Sequence, residues 1–401
     1  MNGKNDMNVA NEIRAWESQM VEDRRFLHMN PELSNQEFET TAFIKKRLEE
    51  YGIEIENLPI PTGVSALIHG DRNGKTICIR HDIDALPIKE DTGLEFSSKQ
   101  DGVSHCCGHD IHTVIALYCA KYLQEHRKQL KGNVRVVFQP AEETGAGARS
   151  MMRAGFAELA PQTDLVVGLH THPMTTVGEI CLRKGPMEAG VDYLKITVQG
   201  CSGHGAYPHD CVDPIVVSAY LITQLQTVIS RENQAVCPAV LTLGSIHGGE
   251  TYNSIPGEVT MLGTLRSLYP ESREKNLDAI RRIVNHVCEG MRAKGTVEIS
   301  EGNIPPIINR ADVVDGIVKA ADQVLGKGHV RELPNPSMGS DDFAVFLNQC
   351  EGAQFFLGTG NEQECSRLGL HKGNNIFDER SLVVGTAVLC QYIMNELGGH
   401  K

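Results

Sequence analysis

Three short apolar runs constrain the fold more than anything else in this chain: Thr76-Ile77-Cys78-Ile79, Val134-Arg135-Val136-Val137-Phe138 and Asp164-Leu165-Val166-Val167-Gly168-Leu169. Each has the length and the β-branched content of a buried strand. Each also stops where polar residues begin. Asp82 and Asp84 follow the first run, Glu142 and Glu143 the second, and His170 the third. Between the first two lies His112 to Glu125, with Ile115, Cys119, Tyr122 and Leu123 at helical spacing. Strands alternating with helices predict an α/β fold with a parallel sheet, whose sites form beyond the carboxyl ends of the strands. Three separate segments are therefore expected to deliver ligand-type side chains to one edge of one sheet.

The chain has 401 residues, more than a single core of ~250–300 residues normally supports. After Arg183-Lys184-Gly185-Pro186 the pattern changes. A strand at 193–198 leads through a glycine-rich turn to a helix over 212–230, strands flank Gly248-Gly249, and an amphipathic helix spans 273–292. Gly302-Asn303-Ile304-Pro305-Pro306 marks the return. Residues 187–304 are thus expected to form an inserted domain, with 1–186 and 305–401 making the other. Near the N-terminus, Ser34 and Glu37 match a Ser-x-x-Glu capping box. The helix it would open carries Ile44, Leu48 and Tyr51 on one face and stops at Gly52.

A net charge of −13 argues against nucleic acid or an anionic membrane surface as partner. The segment Met1 to Asn11 has no apolar core of the kind a secretory signal needs, and no run reaches the ~18 apolar residues of a membrane span. Twelve cysteines are scattered rather than framed for disulfides, and Cys78, Cys119, Cys288 and Cys390 lie in apolar surroundings. A reducing cytoplasm is the expected compartment.

Cys107-Gly108-His109-Asp110-Ile111-His112 concentrates a thiol, two imidazoles and a carboxylate in six residues. Cys107 and His109 can reach one divalent ion, which would ionise the thiol. By itself such a triplet is a structural cysteine beside a capping histidine; the further clusters tip it towards metal, with Cys106 directed elsewhere. Adjacent Glu142 and Glu143 repel each other unless a cation compensates, which one metal ligand and one general base would achieve. His170 is favoured over His172 because it directly follows an apolar run. His371, in Leu370-His371-Lys372, has the least physical support. In Gly203-His204-Gly205, an imidazole between glycines can stabilise an oxyanion, and Arg266 and Asn253 are candidate substrate contacts, Arg266 suited to a carboxylate. Turn residues and a surface arginine are the plain alternatives for these three.

In its motifs the chain resembles the M20 metallopeptidase superfamily, in its amidohydrolase branch of N-acyl-amino-acid, hippurate and auxin-conjugate hydrolases. The matching segments are Arg80-His81-Asp82-Ile83-Asp84-Ala85-Leu86-Pro87, His105-Cys106-Cys107-Gly108-His109-Asp110, Gln139-Pro140-Ala141-Glu142-Glu143, Gly168-Leu169-His170 and Gly203-His204-Gly205-Ala206-Tyr207-Pro208-His209, followed by Asn253-Ser254-Ile255-Pro256, Met338-Gly339-Ser340-Asp341-Asp342-Phe343 and Leu357-Gly358-Thr359-Gly360. The resemblance implies a zinc-peptidase-like catalytic α/β domain with an inserted α+β dimerisation or lid domain. It implies two divalent ions (manganese, zinc, cobalt or nickel) held by Cys107, His109, Glu143, His170 and His371, with Glu142 as general base and Asp84 supporting the site. It further implies that His204 reaches the neighbouring protomer's site, that Asn253 and Arg266 hold the product's carboxylate, and that the protein is a homodimer or dimer of dimers. His81, Cys106 and Ile111 depart from the usual pattern, as does Lys372-Gly373-Asn374-Asn375 after His371.

The expected activity is hydrolysis of the amide bond of small N-acyl amino acids by metal-activated water. The rivals are a dipeptidase or carboxypeptidase with the same residues, a non-catalytic metal- or ligand-binding protein, and a hydrolase with a cysteine nucleophile.

Overall fold

A computed structural model describes residues 9–398. The polar segment Met1 to Asn11 lies, up to residue 8, outside the described residues. The chain forms two compact units. One runs to Gly185 and resumes over Ile308–Asn335 and from Asp342; the other comprises Pro186–Ile307 and Pro336–Asp341.

The first unit opens with helices α1 (Val9–Arg14), α2 (Glu17–Met29) and α3 (Phe38–Glu50). Its strands are β1 (Glu54–Ile55), β2 (Val64–His69), β3 (Arg72–Asp82), β4 (Lys131–Gln139), β5 (Leu165–Thr176) and β6 (Ile180–Leu182), with Val330–Glu332 and Glu351–Gly360 added later. They make one eight-stranded mixed sheet in the order β1-β2-β4-β3-β5, Glu351–Gly360, β6, Val330–Glu332. Strands β4, β3, β5 and Glu351–Gly360 run parallel, so their carboxyl ends share one edge. The three apolar runs are the buried stretches of β3, β4 and β5, as expected.

Helix α4 (His109–Glu125) connects β3 to β4 and packs on β3, β4, β5 and the helix Ser381–Leu397. Fourteen of its seventeen residues are buried, which makes it a core helix rather than a surface one. Full burial of Ile115, Leu117 and Leu123 contributes about 1.5–3 kcal/mol each. The helix starts at His109, one turn before the start read from apolar spacing. Its first turn is polar, and tertiary contacts rather than periodicity bury it.

Two sequence expectations are corrected here. Ser34 and Glu37 do not cap α3: the residue at its N-cap, Glu37, makes no side-chain cap bond. The Glu32 carboxylate accepts from the N–H groups of Glu39 (3.1 Å) and Thr40 (2.8 Å) in that first turn instead. Ser34 and Glu37 are drawn off to other partners, described below. The helix otherwise runs as expected, with Ile44 and Leu48 buried and Gly52 left-handed (φ 68°) just beyond it. Second, His170 does not end its strand, because β5 continues to Thr176 beside Glu351–Gly360. Gly168 pairs with Arg80, so His170 still lies at the level where β3 finishes.

The second unit is a four-stranded antiparallel sheet in the order Ala239–His247, Glu258–Ser267, Gly190–Gln199, Lys294–Ile299. Helices Pro214–Thr227 and Pro270–Gly290 pack on it through Leu221, Leu225, Ile280 and Val284. Asp213 caps the first of these, its Oδ1 accepting from the N–H of Ile215 at 2.9 Å, with Pro214 at the first helical position. Among the described residues no helix is long and apolar enough to cross a membrane.

Candidate metal centre

Gly108 starts the construction. Its φ of 88° and its place against Thr171 exclude a side chain, since a Cβ there would meet Thr171 Oγ1 at 2.7 Å. Thr171 Oγ1 also donates to the Cys107 carbonyl at 2.6 Å. The loop bearing Cys107 is thereby fastened to β5 beside His170, and His109 becomes the first residue of α4.

Hydrogen bonds to carbonyls decide which ring nitrogens face inward. His109 Nδ1 lies 2.8 Å from the Asp84 carbonyl, which only accepts, so Nδ1 carries the proton. His109 Nε2 then faces Asp82 Oδ1 at 3.7 Å and Glu143 Oε1 at 3.8 Å. His170 Nδ1 likewise donates to the Thr171 carbonyl at 2.9 Å, leaving Nε2 3.5 Å from Cys107 Sγ. This is how metal-binding histidines are oriented in general. His112 differs: Nδ1 meets Asp82 Oδ1 at 2.5 Å and Nε2 accepts from the Thr171 N–H at 2.9 Å. With both nitrogens occupied, His112 orients Asp82 and is not available as a ligand.

The acidic loop follows β4. Glu143 donates its N–H to Asp84 Oδ2 at 3.0 Å, and Ser34 Oγ donates to the same oxygen at 2.6 Å. Burial would raise the Asp84 carboxyl, but the bonds from His109, Ser34 and Glu143 hold it below the ordinary range. His371 comes from the loop before the last helix, with Nε2 3.4 Å from Glu143 Oε2. Its left-handed backbone (φ 62°) is held by a bond from its N–H to the Cys106 carbonyl at 3.1 Å. One residue of the unusual continuation after it, Gly373, has a steric reason. It packs on the Lys89 carbonyl, which a Cβ would meet at 2.1 Å.

Two groups of donor atoms within 4.8 Å of one another share Cys107: Cys107, His109 and His170, and Cys107, Glu143 and His371. Glu142 and Glu143 form a further such group with His109. His109 Nε2 and Glu143 Oε1 are buried without a hydrogen-bond partner, an expensive condition that a cation between them removes. Burial presses the His109 ring towards neutrality, yet Asp82, Asp84 and Glu143 push its pKa up to about 10. Burial likewise pushes Glu143 up to about 7; His109 opposes this and Asp84 adds to it. Three carboxylates thus crowd the His109 ring, and the thiol, imidazole and carboxylate donors suit a first-row divalent ion.

The same field weakens the cysteine-nucleophile alternative. Burial, then the charges of Glu143, Glu142 and Asp82, keep the Cys107 thiol well above its ordinary pKa. A nucleophilic thiol needs the opposite surroundings.

Sequence reasoning missed the buried frame behind these residues. Arg80 binds Asp82 Oδ2 (3.1 Å), Gln139 Oε1 (2.7 Å) and Asp342 Oδ1 (2.6 Å), and Asp342 Oδ2 accepts from the Ala148 N–H at 2.9 Å. Asp110 is gripped by Arg24 (2.7 Å) and His28 (2.8 Å). Charged residues such as Arg80 inside an apolar strand were the available signal. The remaining candidates stand in the second unit. His204 is exposed, and its Nδ1 accepts from the Ala206 N–H at 3.1 Å, which leaves Nε2 as the donor of the neutral ring. Ser254, next to Asn253, pairs with His204, and the Asn253 carbonyl accepts from the Gly205 N–H at 2.9 Å. Arg266 is half-buried and holds the Met338 carbonyl at 2.7 Å.

The family model described as peptidase family M20/M25/M40 matches residues 78–395. The chain belongs to this family. It is 40% identical over 362 residues to N-acetyl-L-cysteine deacetylase of Bacillus subtilis, covering 90% of this chain and 85% of the relative. It is 36% identical to thermostable carboxypeptidase 1 of Saccharolobus solfataricus, over 94% of this chain and 95% of that protein. Among solved structures, a dinuclear metal-binding M20 peptidase from Bacillus subtilis superposes with a TM-score of 0.83 at 33% identity, covering 96% of this chain and 99% of its own. The mixed α/β fold of this M20 chain is therefore that of known M20 peptidases.

Proposed function

We propose that this protein is a metal-dependent amidohydrolase that cleaves small N-acyl amino acids to a carboxylate and a free amino acid. The carrying observation is the donor set around Cys107, buried on the His109 and His170 side, with Glu142 beside it and two unpartnered atoms, His109 Nε2 and Glu143 Oε1. The similarity to N-acetyl-L-cysteine deacetylase supports the substrate class.

Cys107, His109, Glu143, His170 and His371 would hold two divalent ions. When bound, the ions supply Lewis-acid activation of water and of the amide carbonyl. Glu142 accepts the proton of the attacking water and passes it to the leaving nitrogen. Asp84 fixes His109 through its carbonyl and Glu143 through its carboxylate, so it acts as a positioning residue. His204 donates Nε2–H to the developing oxyanion from a partner protomer, while Asn253 and Arg266 receive the substrate's carboxylate.

Residues 187–304 act as an inserted dimerisation and lid domain within a catalytic domain of 1–186 and 305–401. A homodimer, or a dimer of dimers, is supported by exposed apolar side chains on this insertion. Val216 and Tyr220 lie on Pro214–Thr227, and Val240 and Ile246 on the edge strand Ala239–His247. Twelve unpaired cysteines fit a reducing cytoplasm.

The test is release of free amino acid from N-acetyl, N-benzoyl and dipeptide substrates, with and without EDTA. Chelator-sensitive cleavage of acyl substrates, restored by manganese or zinc, is expected. Preference for dipeptides would favour the carboxypeptidase reading, which the Saccharolobus solfataricus relative supports. Absence of any metal-dependent turnover would leave a binding protein.

A further inference from the structure

We propose that Glu37 is a positioning residue for the acidic loop: it holds the backbone of Ala141 and so sets where Glu142 and Glu143 stand. The inference rests on the amidohydrolase reading above. Glu37 is completely buried just before α3, yet it spends neither carboxylate oxygen on that helix. Oε1 accepts from the Ala141 N–H and Oε2 from Thr62 Oγ1, each at 2.8 Å. Ala141 has a left-handed backbone (φ 52°), a conformation a residue with a Cβ keeps only when its surroundings enforce it. Its carbonyl accepts from the N–H of Gly147 at 3.0 Å, closing the turn that carries both glutamates. The turn is tight, for a Cβ on Gly147 would lie 1.6 Å from the Pro140 carbonyl oxygen.

Asp84 grips the other side of the same turn through the Glu143 N–H. Glu142 is therefore bracketed: Glu37 holds the Pro140–Ala141 peptide one residue ahead of it, and Asp84 the Glu142–Glu143 peptide just after it. Thr62 supports the grip, and Gly63 beside it donates its N–H to Thr41 Oγ1 on α3 at 2.8 Å. Of the residues that the sequence presents as a capping box, Glu37 is committed to the acidic loop directly and Ser34 to Asp84, which grips that loop.

The test separates reach from charge. E37D keeps the charge but withdraws the carboxylate by about 1.5 Å, one carbon–carbon bond. E37Q keeps an oxygen at the Ala141 N–H, and its amide can donate to Thr62 Oγ1. The expected result is a loss of kcat of about 100-fold in E37D with KM little changed, and E37Q within about fivefold of wild type. Affinity for Co(II), followed by its visible absorption, should fall about tenfold in E37D and stay near wild type in E37Q. T62V, which removes one tether of Glu37, gives an intermediate loss and replaces E37D if that variant does not fold.

Equal behaviour of E37D and E37Q, or the reverse order, overturns the proposal. So does a loss in both that merely follows a lowered melting temperature. If the wild-type protein hydrolyses none of the acyl substrates, the amidohydrolase reading falls by itself. The order of the Co(II) affinities still decides whether Glu37 positions the loop.

Discussion

His204 in the second unit is held in the opposite way to the polar residues of the first unit's candidate centre. In the first unit His109, Asp84, Asp82 and His112 are buried, and hydrogen bonds to neighbouring side chains or backbone fix each orientation. In the second, His204 is exposed on a two-residue strand, and its ring meets the neighbouring Ala206 N–H and the Tyr207 ring. Buried polar groups carry a desolvation cost that their partners must offset, so their positions tolerate little change. An exposed imidazole has no such cost, and its removal should touch chemistry without touching folding.

The largest expected effect is on the first unit. E142Q should lower kcat by about 10³-fold, within the range of a lost general base, while metal content stays normal. Wild-type turnover in that variant would remove Glu142 from the mechanism. C107A should cost at least one bound ion per chain by elemental analysis, since both donor groups use that thiol. An undiminished metal count would refute the assignment.

H204A sharpens the contrast. It should lower kcat by about 10²–10³-fold, the usual cost of one oxyanion donor, with metal content and melting temperature unchanged. A fall in melting temperature would mean that the exposed loop is structural after all. G108A tests the opposite property of the buried site. Its clash with Thr171 and left-handed φ should destabilise the fold by about 1–3 kcal/mol in denaturant titration and weaken metal binding as well.

The smallest effect concerns pH and lies in the second unit. Burial, and next Asp341, push the Glu188 carboxyl up to about 8 from an ordinary 4.5, against the pull of Ser337 and Arg266. The folded chain thus keeps this proton at pH values where the unfolded chain has lost it. Stability from this group is full below about 4.5 and declines as pH rises towards about 8. E188Q removes that decline, so its melting temperature should exceed that of the wild type by a few degrees, about 2–4 °C, at pH 8 and match it near pH 4.5. Parallel melting curves across that range would show that Glu188 titrates normally.

Much of the first unit was legible because its strands follow simple apolar runs. Runs as long as those in β3, β4 and β5 bury wherever they fold, and the polar residues after them must then collect at one edge. That edge gathers Asp82, Asp84, Glu142, Glu143 and His170, while Cys107 and His109 were read from their own short motif. His371 entered through the family motif, because its loop has no periodicity to read. The capping box misled because Ser-x-x-Glu records only local opportunity. Glu32 took the helix start, while Ser34 bonds Asp84 and Glu37 bonds Ala141 of the acidic loop.

What the sequence determined by itself, then, is the order of strands and helices, the sheet edge where the site lies and the donor types gathered there. Those follow from burial and chain connectivity, which are properties of short segments. Which nitrogen of each histidine faces inward, that His112 is spent on Asp82 and Thr171, and that Glu37 holds Ala141 were decided only in the tertiary structure. Apart from His170, whose Nδ1 binds the adjacent Thr171 carbonyl, each depends on a hydrogen bond between residues far apart in the chain, and such a partner exists only after the sheet has formed.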